Sequence, residues 1–347
     1  MRVGEVYIRG IGVVLGEPVK TEKAIAEGLY EEDLYRITKL TQTHIAGDVP
    51  ALAMAVDAAK EALARSDLDI NDVDAHIHVG NPQQGARSEG VPLYGYVLRE
   101  LGGVDIHATE IRQGCNGFFG AIDGAVGFLT GAANYDNVLI TAGENWTSPL
   151  IDRWHGGPDI IYGDGGVAAV LSGESGFAEI VSANSSTLPE FEEWHRGNST
   201  LLPQRDLVYE VPDPAKYVQE FMRKGISLPE IVERWSKFYF DICYRSLADA
   251  DINSSDVAMI IPSNSDGRQF EQLLFDPLGI PVSNSSVDFG RGIGHVGACD
   301  QMISLEHFAS AGRLAPGDYV LLVSSGPGIT SNSIVLRMTD TPASVNR

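Results

Sequence analysis

Two rhythms of apolar and polar positions run along the chain. Ala51–Arg65 and Ile231–Leu247 repeat apolar residues every three or four positions, which predicts helices with one face in a core. Short apolar runs at Ala75–Val79, Val138–Ala142, Val167–Leu171, Val257–Ile261, Val320–Ser324 and Ser333–Met338 predict strands. Gly117–Thr130 and Ala298–Ala311 are rich in small residues, so helices there can be packed closely on several sides. In the first of them Phe118, Ile122, Val126 and Leu129 form a bulky stripe at helical spacing.

These elements come in the same order twice. DLDINDVD, holding Asp69, matches DADINSSD, holding Asp251. NYDNVLITAG, holding Val138, matches PGDYVLLVSSG, holding Val320. Both pairs lie 182 residues apart (251 − 69 and 320 − 138). A tandem duplication explains this. It predicts an N-terminal half over 1–174 and a C-terminal half over 175–347, with the boundary near Gly173–Gly176. Alternating strands and helices predict α/β layers with sheets covered on both faces. An insertion at about 189–237 carries Phe191, Trp194, His195, Tyr209, Tyr217, Phe221 and Trp235. It reads as a substrate cap, a dimer arm or a packed surface excursion.

Composition narrows the class. The 347 residues hold 47 acidic and 25 basic side chains, a net charge of −22. Such a polyanion is repelled by nucleic acid and by anionic membranes. Three cysteines are too few for a disulfide scaffold, so reduced thiols in a cytosol are expected. The opening MRVGEVYIRGIG lacks a leader pattern, and no run nears the ~20 apolar residues of a membrane span. A cytoplasmic protein without nucleic-acid or membrane partners is expected.

The candidate chemistry centres on Cys115 in Gln113-Gly-Cys-Asn-Gly-Phe-Phe-Gly120, at the head of the small-residue helix. A helix N-terminus favours a thiolate, and its free N–H groups can hold an oxyanion. Cys243 and Cys299 read as buried structural thiols. The duplication maps Cys115 onto the turn Gly290-Arg-Gly-Ile-Gly-His295-Val-Gly-Ala-Cys-Asp300. Two equivalent turns meeting at a pseudo-twofold axis would bring Cys115 to His295, as nucleophile and base. Asp300 can orient His295 only if His295 sits in an extended turn and Asp300 opens the next helix. Asp288 is the rival orienter, and a plain helix-dipole charge is the bland reading of Asp300.

The layout resembles the thiolase superfamily, and within it the 3-oxoacyl-(acyl carrier protein) synthase III group. The match spans the chain through the Cys115 turn, the YGDGGVAAVLSG run at Tyr162–Gly173 and the terminal PGDYVLLVSSGPG. The resemblance implies a five-layer αβαβα fold, a homodimer, and an acyl-thioester intermediate on Cys115. It implies no bound cofactor or metal, with acyl- or malonyl-CoA, or a carrier-protein thioester, as co-substrate. Oxyanion donors would be Cys115 and the Gly326-Pro-Gly328 loop, where Pro327 has no N–H. Condensing members carry a His in a PHQAN-like motif and an Asn in a GNT-like turn. Here Ser263 replaces that His and His295 replaces that Asn. The decarboxylation pair is therefore lost, and what remains is similar to ketosynthase-like malonyltransferases that acylate a sugar hydroxyl of a glycosylated polyketide. A decarboxylative condensing enzyme and a non-catalytic ketosynthase-like subunit are the competing readings. The chain's acidity disfavours an acidic carrier protein.

Other signals weigh less. Gly10-Ile-Gly12 reads as following a strand and imitates part of a dinucleotide fingerprint, but it lacks the third Gly and the later acidic residue. His76 and His78 share a strand face without further ligands at metal spacing, which predicts a satisfied strand pair. Trp154-His155 and Trp194-His195 read equally as a site mouth or as packing.

Overall fold

The computed structural model describes residues 1–80, 91–147, 151–197 and 214–343. Tyr209 of the aromatic insertion lies outside them. Nine strands are used here: β1 (Tyr7–Leu15), β2 (Ala75–Val79), β3 (His107–Ile111), β4 (Asn137–Glu144), β5 (Gly165–Ser172), β6 (Ala178–Thr187), β7 (Val257–Ile261), β8 (Tyr319–Gly326) and β9 (Thr330–Met338). They form one sheet in the order β3-β2-β4-β5-β1-β6-β9-β8-β7. Outward from the β1–β6 seam the order repeats. Each half runs antiparallel, antiparallel, then parallel. β3 adds a parallel edge to the first half. At the seam β1 pairs Tyr7 with Glu179 and Ile8 with Ala178, and ahead of β1 Arg2 bridges Ser182.

Four helices set the layers: α1 (Ala51–Ser66), α2 (Gly117–Thr130), α3 (Leu228–Asp249) and α4 (Asp300–Ser310). Successive strand residues face opposite ways. Ile77, Ile140 and Ala169 of the first half and Ile261, Leu322 and Ile334 of the second share a central core. It includes Phe118, Phe119 and Ile122 of α2 with Met302, Ile303 and Leu305 of α4. The other face of the first half, Leu139, Ala168 and Val170, packs on Ala58, Ala59 and Ala62 of α1. The other face of the second half, Leu321, Val323 and Val335, packs on Tyr239, Cys243 and Leu247 of α3. The order helix, half-sheet, helix pair, half-sheet, helix is the αβαβα arrangement expected.

Three details differ from the sequence reading. Gly10 and Gly12 do not follow a strand; they lie within β1. A Cβ at Gly12 would fall 2.0 Å from the Ala58 carbonyl oxygen. These glycines serve close helix–strand approach, not a nucleotide. The DxDIN match is two residues out of step. The Asp72 carboxylate accepts from the Asp69 N–H, as Asp256 does from Asn253, so Asp69 corresponds to Asn253 and not to Asp251. The strand register carries the same offset: Val320 pairs with Met259 where Val138 pairs with Ala75, so Ala75 corresponds to Met259, 259 − 75 = 184 residues on, as 253 − 69 = 184. Finally, the predicted helix 298–311 opens with a 3-10 turn, Gly297–Cys299, before α4.

His76 and His78 are fully buried, and both lie 2.8 Å from the Thr141 hydroxyl on β4. One ring donates to that oxygen while the other accepts its O–H. Burial first, and His78 second, push the His76 pKa down from 6.5 to about 3. The folded protein keeps this ring neutral, whereas the unfolded chain binds a proton below pH 6.5. Stability is therefore full above 6.5 and falls as pH drops toward 3. Going from pH 7 to 5 is expected to cost about 2 kcal/mol through this residue. Urea denaturation of wild type and His76→Val at both pH values checks it. Equal losses in the two proteins would refute neutral burial.

Candidate active site

Cys115 sits in a 3-10 turn, Gly114–Asn116, directly ahead of α2. Gly114 has φ +55°, and a Cβ there would meet Pro327 Cδ at 2.5 Å. Both facts require glycine. The sulfur is half-buried. His295 comes from the other half, in the extended turn the sequence demanded. Its N–H donates to the Ile161 carbonyl at 2.7 Å, and its own carbonyl accepts from the Gly163 N–H at 2.9 Å. The first half thus holds the backbone of the second half's histidine. Gly294, at φ +87°, makes the turn that permits this.

The side chains form one line. His295 Nε2 lies 3.0 Å from Cys115 Sγ, and His295 Nδ1 lies 2.6 Å from Asp300 Oδ2. Asp300 is the first residue of α4 and fully buried. It is saturated with donors. Oδ2 accepts from His295 and from the Asn264 N–H at 2.8 Å; Oδ1 accepts from the Val296 N–H at 2.7 Å and from Asn264 Nδ2 at 3.2 Å. An acceptor so placed fixes the imidazole with its proton on Nδ1 and its Nε2 toward the sulfur. Burial pulls the His295 pKa down most, but the Asp300 carboxylate and the Cys115 sulfur together hold it well above 6.5. Asp288 is elsewhere, exposed and paired with Arg291 at 2.6 Å. It takes no part in the line.

The other thiols differ from Cys115. Burial pushes the Cys243 thiol up to about 12. Burial, then Glu144 and Asp300, raises that of Cys299 well above its ordinary value. Both fit the inert role read from sequence.

Around the line, the turn Gly326–Thr330 between β8 and β9 lies against the Cys115 turn. A Cβ at Gly326 would meet the Gln113 carbonyl oxygen at 2.5 Å and the Asn116 nitrogen at 2.9 Å. Gly326 and Gly328 are thus neighbours of Cys115, with Gly328 at φ +84°. Ser263 accepts from Gln301 Nε2 at 3.0 Å. The Tyr162 ring lies 5.9 Å from that of His295, and Trp146 stacks on Tyr162 at 4.2 Å. Asp164 of the GDGG run is buried, accepting both Arg153 Nη atoms at 2.9 Å and the N–H groups of Ala46 and Trp146 at 2.8 Å. It ties together the loops that frame the site. Trp154 packs with Tyr30 and Leu40, and His155 bridges Asp152 and Glu31 at the surface. Trp154 is therefore packed, whereas His155 is held at the surface by two carboxylates. Trp194 is likewise packed within the insertion.

Sequence reasoning missed Asn264. It is buried, and Nδ2 also donates to the Gly294 carbonyl at 3.0 Å. Ser263, singled out beside it in the sequence, marked its neighbourhood but not its partner. Among the described residues no helix is long and apolar enough to cross a membrane, and no group of three or more His, Cys, Asp or Glu could hold a metal ion.

Comparisons with known proteins fit this geometry. Residues 109–188 match the profile of 3-oxoacyl-[acyl-carrier-protein] synthase III, and residues 247–338 match that of its C-terminal part. The beta-ketoacyl-[acyl-carrier-protein] synthase III of Mycobacterium tuberculosis is 24% identical over 343 residues, covering 96% of each chain. The solved structure of ChlB3, described as an acyltransferase, superposes with a TM-score of 0.90 at 32% identity, covering 98% of this chain and 99% of that one. The synthase III of Aquifex aeolicus superposes at 0.76 with 22% identity over 96% and 99%, a likeness of fold.

Proposed function

This chain belongs to the 3-oxoacyl-(acyl-carrier-protein) synthase III family, a family of thiolase-fold enzymes, and on that footing we propose that it transfers an acyl group from a thioester through Cys115 to an alcohol. The observation that carries the reading is the Cys115–His295–Asp300 line, a nucleophile, base and orienter drawn from both halves. The likeness to ChlB3 supports acyl transfer as the net reaction.

The steps balance as follows. His295 Nε2 takes the Cys115 proton, and Sγ bonds to the thioester carbonyl carbon. The carbon–sulfur bond of the donor breaks, and its thiol leaves with the proton from Nε2. An alcohol then enters; His295 takes its proton, and its oxygen bonds to the acyl carbon. The Sγ–carbon bond breaks and Cys115 regains a proton. The Cys115 N–H and the N–H groups of Gly326 and Gly328 are the proposed oxyanion donors. The acyl group is malonyl and the acceptor a sugar hydroxyl of a glycosylated polyketide, with CoA or a carrier protein as donor and no bound cofactor. A cytoplasmic homodimer is part of the same proposal.

Ser263 supports transfer over condensation. It is neutral and shorter than His, and its oxygen accepts from Gln301. A decarboxylation enolate would lose its strong donor there, and removing one such donor costs ~10²–10³ in rate. The test is malonyl thioester labelled with 14C in its carboxyl, incubated with a deoxyhexose-bearing aromatic polyketide. The label is expected to stay in an ester product. Release as CO2 at the rate of transfer would instead make the protein a condensing enzyme.

A further inference from the structure

We propose that the aromatic insertion positions the Gly326–Gly328 turn beside Cys115, with Ile329 as the peg that connects them. This rests on the acyl-enzyme reading above. Ile329 has φ +52° and is completely buried. A β-branched residue in the left-handed region is a genuine outlier, which persists only where its surroundings over-determine it. Glycine or an unbranched residue would suit that backbone better, so the side chain must be required for what it touches.

What it touches is the insertion. Ile329 shares a core with Phe191, Phe221 and Ile231, against which Leu188 and Trp194 pack. Phe191 and Phe221 meet edge-on at 5.4 Å. The main chain adds two ties: the Leu188 N–H donates to the Ile329 carbonyl at 2.9 Å, and the Ile329 N–H closes the turn on Gly326 at 3.0 Å. On its other side the same turn presses on the Cys115 loop, through Pro327 at Gly114 and Gly326 at Gln113 and Asn116. A continuous path of packed atoms therefore runs from the insertion through Ile329 to the nucleophile's turn. Ile329 is a positioning residue, because it acts through Gly326 and Gly328. The insertion is then a clamp on the turn, beyond the cap, dimer-arm and surface readings.

Two reactions of Cys115 separate this from a general loosening. Attack on a thioester places charge on the carbonyl oxygen, so it depends on donors held in place. Alkylation by iodoacetamide expels iodide and charges no carbonyl, so it reports only the sulfur and its base. Ile329→Ala is expected to slow acylation by malonyl-CoA by ~10–100-fold, while iodoacetamide reacts within about twofold of wild type. Phe221→Leu, which leaves the turn's own sequence intact, is expected to show the same selective loss in smaller measure. Ile329→Leu keeps an anchor without branching and is expected to retain most of the rate. Should Ile329→Ala fail to fold, the Phe221 and Leu variants decide. Equal slowing of both reactions, or of neither, overturns the clamp while wild-type acylation stands. A wild-type chain that takes no adduct from malonyl-CoA or malonyl-loaded carrier protein overturns the acyl-enzyme reading and this inference together.

Discussion

Cys115→Ala is expected to abolish acyl-enzyme formation and to reduce transfer by at least ~10⁴-fold, with the fold intact. The sulfur is half-buried at a turn, and its removal leaves no cavity in a sealed core. No other thiol can replace it. Cys243 packs inside the α3 layer, and Cys299 lies behind Asp300 with its thiol held protonated by burial. Intact mass after incubation with malonyl-CoA reads the result directly: one adduct on wild type and on Cys243→Ser, none on Cys115→Ala. Transfer by the alanine variant, or loss of the adduct in folded Cys243→Ser, would move the nucleophile elsewhere.

Asp300→Asn is expected to cost ~10³–10⁴-fold in rate. Four donors converge on this carboxylate, two on each oxygen. An amide keeps the shape but offers one acceptor oxygen, so its NH2 must face N–H groups that were paired. The imidazole then has no acceptor fixing its proton on Nδ1, and Nε2 no longer presents its lone pair to the sulfur. The pH profile separates this from simple destabilisation. Asp300 helps hold the His295 pKa up, and the base works when neutral, above that pKa. Removing the carboxylate lowers it, so the acid limb of the remaining activity moves to lower pH. A helix-dipole charge alone is worth about 0.3–1 kcal/mol and would leave rate and profile in place. A small drop in melting temperature with an unchanged rate would return Asp300 to that role.

The residues of the line were legible for separate reasons. Cys115 stood out because glycines surround it at a helix start. His295 was reached by mapping one half onto the other. Asp300 followed from the geometry of a turn entering a helix. Asn264 was invisible because its partner is 36 residues away and the contact exists only once β7 ends beside α4. The DxDIN match misled by two residues because composition in a turn survives a shift that strand pairing does not. Gly10 and Gly12 are small for the sake of α1, and a motif search sees only their spacing. Ile329 gave no signal at all: an isoleucine among strand residues is ordinary, and only its backbone angle sets it apart.

The attachment of His295 to Ile161 and Gly163 is made entirely by main-chain atoms. Peptide groups are the same whatever side chains they carry. The base is therefore registered by a part of the protein that substitution does not alter, whereas Tyr162, between those two residues, turns its ring toward the imidazole. Substitution can revise that ring and its stacked neighbour Trp146 while the main-chain bonds that register the base are kept. What faces the imidazole and what holds its backbone are therefore separately variable within three consecutive residues, so side chains beside the base can change without moving it.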